Sequence, residues 1–142
     1  MPNIAHMSLF RGVDASASAL GAESLRMTIA AENLAHAGDT AKLANGQPYA
    51  RQRVRFEAVM DRQGATNGQV AAEVVSSPRY LQRYAPGHPD ADPATGMVKE
   101  PDIDPVLELT DLMVAGKAYE ANTNAARGLL RMHESALRLS ES

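Results

Sequence analysis

The sequence predicts a mainly α fold: long N- and C-terminal helices packed as a coiled-coil-like pair, with a small β-hairpin and loop segment between them. Three observations predict it. Large apolar side chains recur at heptad spacing near each terminus, and turn signals and most of the prolines fall in the middle. The apolar inventory is dominated by small residues: of 142 residues 25 are Ala, while Leu, Ile, Val and Phe together give 27, or 19%. The length suits one domain at about 100–200 residues per domain, organised as segments 1–38, 39–103 and 104–142. With two Phe, four Tyr and no Trp, there is little bulk to bury, so a partner surface is expected to complete the core.

The first helix is expected over residues 9–37. Val13, Leu20, Met27 and Leu34 stand seven residues apart, a heptad seam. Small residues lie between them, and only Asp14, Glu23, Arg26 and Glu32 carry charge from Val13 to Leu34. A helix with so thin a charged face packs on several sides. Gly38 is placed to end it in a left-handed conformation.

The C-terminal helix is expected over 105–139. Asp104 caps it, Pro105 fits its first position and Glu108 favours its first turn. Leu109, Leu112, Gly116, Tyr119, Thr123, Ala126, Leu130, His133 and Leu137 then alternate three- and four-residue steps. In the middle, Val54, Phe56, Ala58 and Met60 alternate with Arg53, Arg55 and Glu57, the period of a half-buried strand. Asn67-Gly68 reads as a hairpin turn, residues 70–75 as a second strand, and Pro78 as its end. The proline- and glycine-rich run 84–93 reads as an ordered loop.

Several function classes lose their footing. The absence of Cys removes disulfides and thiolate chemistry. His6, His36, His88 and His133 include no pair at metal-ligand spacing within one helix. Asp90-x-Asp92 matches the start of a calcium loop, but Ala94, Thr95 and Pro101 stand where a third ligand, a turn glycine and a bidentate Glu are required. No phosphate loop or nucleophile elbow is present, and no residues position nucleophile, base and oxyanion donor together. No cofactor and no enzymatic activity are therefore expected. The net charge of −3 and the lack of aromatics among Arg51, Arg53, Arg55, Arg79 and Arg83 argue against nucleic acid. No run is long enough for membrane insertion, and the N-terminus lacks a basic region followed by an apolar one, so no cleaved secretory signal is expected.

The helical ends carry more specific motifs. Ala30-Ala31-Glu32-Asn33-Leu34-Ala35-His36-Ala37 resembles an Ala-x-Asn-Leu-Ala-Asn-Ala segment near the N-terminus of bacterial flagellar rod and hook proteins. Lys117-Ala118-Tyr119-Glu120-Ala121-Asn122 resembles the Arg-Ala-Tyr-Glu-Ala-Asn segment of their C-terminal helix. Asn45-Gly46-Gln47-Pro48-Tyr49 with Val54-x-Phe56, the 84–92 segment and the 96–104 segment are similar to the proximal-rod, FlgC-type branch of that family. The likeness covers nearly the whole chain. His36 stands where the family usually has Asn, Gly116-Lys117 where Ala/Ser-Arg is common, and Met97 where Tyr is usual.

The resemblance implies a structural subunit of the flagellar basal-body proximal rod, polymerising helically as part of a periplasmic driveshaft for motility. It implies as partners other copies of the chain, other rod proteins and the flagellar type III export apparatus. The candidate assembly interface comprises Val13, Leu20, Met27, Leu34, Leu109, Leu112, Tyr119, Leu130 and Leu137 from the seams, with Asn33 and Asn122 from the family-like motifs. The competing expectation is a soluble helical-hairpin adaptor or chaperone using the same seams to bind one partner.

Overall fold

The computed structural model describes residues 4–61 and 63–140. Residues 1–3 of the extension before Met7, and the side chain of His6, lie outside what is described. The elements run α1 (Ile4–Ala35), β1 (Arg51–Met60), β2 (Thr66–Ser77), β3 (Tyr80–Tyr84), β4 (Met97–Pro101) and α2 (Pro105–Ser140). No described helix is long and apolar enough to cross a membrane.

The expectation of a mainly α fold with one small hairpin is overturned. The chain is an α and β mixture with two antiparallel two-stranded sheets, β1-β2 and β3-β4. In the second sheet Tyr80 faces Pro101, Gln82 faces Lys99 and Tyr84 faces Met97. Its strands have only five residues each, too few for a clear alternation. The proline-rich loop is their connection. It closes on itself through Ala85 N–H to Gly96 O (2.9 Å) and Asp92 N–H to Met97 O (2.9 Å).

The first hairpin also turns elsewhere than at Asn67-Gly68. Asp61 Oδ1 accepts from the N–H groups of Gln63 and Ala65 (2.9 Å each), and Asp61 N–H donates to Ala65 O (2.8 Å). A carboxylate holding two turn amides outcompetes Asn-Gly as the nucleus of the bend. Asn67-Gly68 therefore lies inside β2. The expected half-buried face of β1 is open, with Phe56 and Met60 exposed.

Helix signals held. Asp104 Oδ1 accepts from Val106 N–H (2.9 Å) ahead of α2, and Gly38 has φ 78° just beyond α1. By packing, the chain divides into two compact units: one takes the described parts of Met1–Leu25, Arg55–Glu73 and Val114–Ser142, the other Arg26–Val54 and Val74–Met113. In the first, Val70 N–H donates to Ser18 Oγ (3.1 Å), and a Cβ on Gly12 would meet Leu129 Cδ1 at 3.1 Å. In the second, Arg26 pairs with Asp111 and Asn33 with Glu108, so the helix segments there run antiparallel. Among the described residues, the buried hydrophobic side chains other than proline are Ala22, Ile29, Ala30, Val98, Ile103 and Ala115. Half of these are Ala, so burial alone stabilises the chain modestly.

Gly96 tests the second hairpin. It has φ 68°, and a Cβ there would sit 2.9 Å from Tyr84 Cε2. Gly96→Ala should cost at least about 1–2 kcal/mol, the usual penalty of a left-handed L-residue. Gly87→Ala, with open space around its Cβ position, should be neutral or slightly stabilising. Thermal unfolding of the two variants checks the contrast.

Candidate functional site

The densest polar arrangement in the described chain centres on Asn33. An Asn is a poor helix residue because its amide competes for backbone partners, yet Asn33 sits near the end of α1 with 1% exposure. Its Nδ2 donates to Gln52 O (2.8 Å) and to Glu108 Oε2 (3.0 Å). Its Oδ1 accepts from Gln52 N–H (2.9 Å) and from the Tyr49 hydroxyl (3.1 Å). All four hydrogen-bonding positions of the amide are used. Toward Gln52 the side chain acts as a short strand, pairing with both the N–H and the C=O of one residue.

Glu108, 2% exposed, enters from the first turn of α2. Its Oε1 accepts from Arg51 Nε at 2.6 Å, with the second guanidinium nitrogen at 2.5 Å. A carboxylate this deep requires such a partner, and its place in the first helical turn adds favourable interaction with the helix dipole. The cluster thereby joins the end of α1, the start of β1 and the start of α2, all within one compact unit. Arg26 and Asp111 form a second link between the same helix segments.

Above Asn33, the Tyr49 ring stacks on His36, with centroids 4.3 Å apart and an interplanar angle of 15°. Burial first, then the carboxylates of Glu32 and Glu108, holds the Tyr49 hydroxyl above its ordinary value of 10.0. His36 Nδ1 lies 3.2 Å from Asp39 Oδ2. Asp39 is held below 3.8, chiefly by the Ala41 N–H and then by His36.

Of the expected interface residues, the structure draws only Asn33 into this cluster. Val13, Leu20, Met27, Leu34, Leu112 and Asn122 are half-buried, and Leu109, Tyr119, Leu130 and Leu137 are exposed. Along α2 the buried residues are Glu108 and Ala115, followed at the same seven-residue spacing by the half-buried Asn122 and Leu129. Sequence reasoning missed the joint action of Tyr49, Arg51, Gln52 and Glu108. The available signal was Asn33 itself, an amide on the packed face of an Ala-rich helix, with an Arg and a Glu free to pair. Among the described residues no group of three or more His, Cys, Asp or Glu could hold a metal ion.

Three variants test the cluster, the last of them by its pH dependence. Asn33→Ala should destabilise the chain by about 2–4 kcal/mol, because buried partners lose their bonds. Asn33→Asp, nearly isosteric, should be at least as damaging at neutral pH, since it sets a second carboxylate 3.0 Å from Glu108 Oε2, and should recover in part as pH falls. Denaturant titrations measure both. The raised Tyr49 value favours the neutral phenol in the folded chain. Its contribution is therefore complete below pH 10.0 and lost as pH rises through the folded value; Tyr49→Phe should remove that alkaline loss.

Comparison with known proteins converges on the same segments. The family described as flagellar basal body rod FlgEFG protein C-terminal matches residues 94–139, which span β4 and nearly all of α2. A flagellar basal-body rod protein FlgC of Salmonella typhimurium is 42% identical over 118 residues, covering 82% of this chain and 86% of the relative. The FlgC of Escherichia coli O157:H7 is 38% identical over 137 residues, covering 95% and 100%. That of Bacillus subtilis is 34% identical over 143 residues, covering 87% and 95%. Identity of this extent, reaching across both helices and the strands between them, means that the chain belongs to the flagellar basal-body rod protein family, FlgC type.

Proposed function

We propose that the chain builds the proximal part of the flagellar rod through the exposed apolar side chains of α2. It is a structural subunit of the basal-body rod, and the reported relatives give no support to the adaptor alternative. The observation that carries the proposal is the number of large apolar side chains left uncovered on one helix: Val106, Leu107, Leu109, Met113, Val114, Tyr119, Leu130, Met132, Leu137 and Leu139 are exposed. A lone soluble protein rarely keeps so much apolar surface open along one element. Neighbouring copies and other rod proteins would cover it. Contacts that use different surfaces on the two partners do not close, and so generate a helical assembly.

In this reading segments 1–38 and 104–142 form the axial core, with Val13, Leu20, Met27, Asn33, Leu34, Leu109, Leu112, Tyr119, Asn122, Leu130 and Leu137 at or beside its contacts. Segment 39–103 faces outward or touches adjacent subunits. The subunit is exported through the flagellar type III apparatus and works in the periplasm as part of the driveshaft. It performs no catalysis and takes no cofactor.

Leu130→Asp and Leu137→Asp separate assembly from folding. Both positions are exposed in the chain, so thermal unfolding of the purified variants should shift by no more than about 0.5 kcal/mol. In cells each variant should be exported, yet rods should stop at this subunit and swimming should be lost. Normal swimming would remove these residues from the interface, and an unfolded variant would place them in the core. Arg53→Ala and Arg55→Ala should leave motility nearly unchanged, because exposed charges contribute little.

A further inference from the structure

The sequence holds two Asn-Gly pairs, Asn45-Gly46 and Asn67-Gly68. We propose that Asn45 is a site of spontaneous covalent modification, deamidation through Gly46, from which the fold protects Asn67. The chemistry needs only the peptide and water. The Gly46 nitrogen gives its proton to solvent base and attacks Asn45 Cγ. The Cγ–Nδ2 bond breaks, the amide nitrogen takes a proton and leaves as ammonia, and a five-membered imide remains. Water then opens either of the imide C–N bonds, leaving an aspartate or an isoaspartate whose main chain runs through the former side chain.

The two sites meet this requirement differently. Asn45 is exposed, in the irregular stretch between α1 and β1. Its Oδ1 accepts from Gln47 N–H at 3.0 Å, a donor already placed on the oxygen that gains negative charge during the attack. Gly46 has φ 74° and open space where a Cβ would be, so nothing blocks its approach. Two backbone bonds oppose it, Gly46 N–H to Leu43 O at 2.8 Å and Leu43 N–H to Gln47 O at 2.9 Å, both in a turn that opens locally.

Asn67 has the equivalent contact, from Gln69 N–H at 2.9 Å. Its amide is also tied to Gln69 Oε1 at 2.9 Å, and it lies half-buried within β2. A Cβ on Gly68 would meet Ala15 Cβ at 3.4 Å, so the strand runs close against α1. Ring closure at Asn67 must shift a strand that is paired on one side and packed on another. The product at Asn45 has a local consequence. Gly46 lines a groove with Lys42, Lys99, Asp90 and Asp92, and Lys99 Nζ lies 3.4 Å from Gln47 Oε1. A carboxylate at 45 adds negative charge next to a groove residue, and an isoaspartate there lengthens the main chain leading into Gly46.

The test uses the full chain, held in mildly alkaline buffer and sampled over time. Cleavage after Lys and Arg puts the two asparagines on separate peptides, 43–51 and 63–79. Mass spectrometry reads the one-unit gain, and labelling by an isoaspartyl methyltransferase reads the isoaspartate. Peptide 43–51 should convert at least about tenfold faster than 63–79, a difference of about 1.36 kcal/mol in barrier. The difference should vanish in denaturant. Asn45→Gln should abolish the conversion of 43–51, and Asn67→Gln should leave it unchanged. Equal rates in the folded chain, faster conversion at Asn67, or a folded chain inert at Asn45 while the unfolded one reacts would each overturn the proposal.

Discussion

The fold depends on one amide. Asn33 uses both donors and both acceptor positions on Gln52, Tyr49 and Glu108, and Glu108 draws in Arg51. Where half of the described buried hydrophobic residues other than proline are alanine, burial cannot set register by itself. Ala surfaces slide past one another with little change in contact energy, whereas a fully bonded amide has one position. Leaving any of these buried groups unpaired costs more than the net gain of forming its bond. The cluster therefore fixes where α1 ends relative to the first residues of β1 and α2. It fixes this without large side chains.

That economy inside goes with abundance outside. Ala22, Ala30 and Ala115 are covered, while Leu109, Met113, Leu130 and Leu137 are exposed. Small residues let helices approach closely, and the larger apolar groups are then turned toward whatever lies beyond the chain. This division suits the proposed contacts, in which neighbouring subunits would cover the larger apolar groups. The same division accounts for the arginines of the middle segment. Arg51 meets a buried carboxylate and has a positional role, whereas Arg55 pairs with Glu57 and Glu73 on the surface.

Both helices were legible in the sequence because capping by Asp104, the end signal at Gly38 and apolar periodicity agree with one another. The seams were legible as apolar seams, but not which face would be covered within the chain. A heptad of Leu residues predicts contact, and contact with a neighbour leaves the same sequence mark as contact within the chain. The second sheet was not legible: Tyr80–Tyr84 and Met97–Pro101 are short, and their pairing is set by the proline-rich loop between them. The bend at Asp61 was hidden by the stronger local signal of Asn67-Gly68. Asn33 stood out through the family-like motif, whereas its partners are distant in sequence, and no local rule links residue 33 to residue 108.

Amide hydrogen exchange, compared between the dilute chain and the assembled rod, tests the central claim most directly. If the Asn33 cluster holds the subunit and α2 completes its burial in the rod, amides near residues 30–35, 51–53 and 108–112 are protected in both states. Amides along 119–139 exchange faster than these in the dilute chain and gain protection on assembly. Strong protection of 119–139 in the dilute chain, or free exchange around Asn33 until the rod forms, would contradict the account.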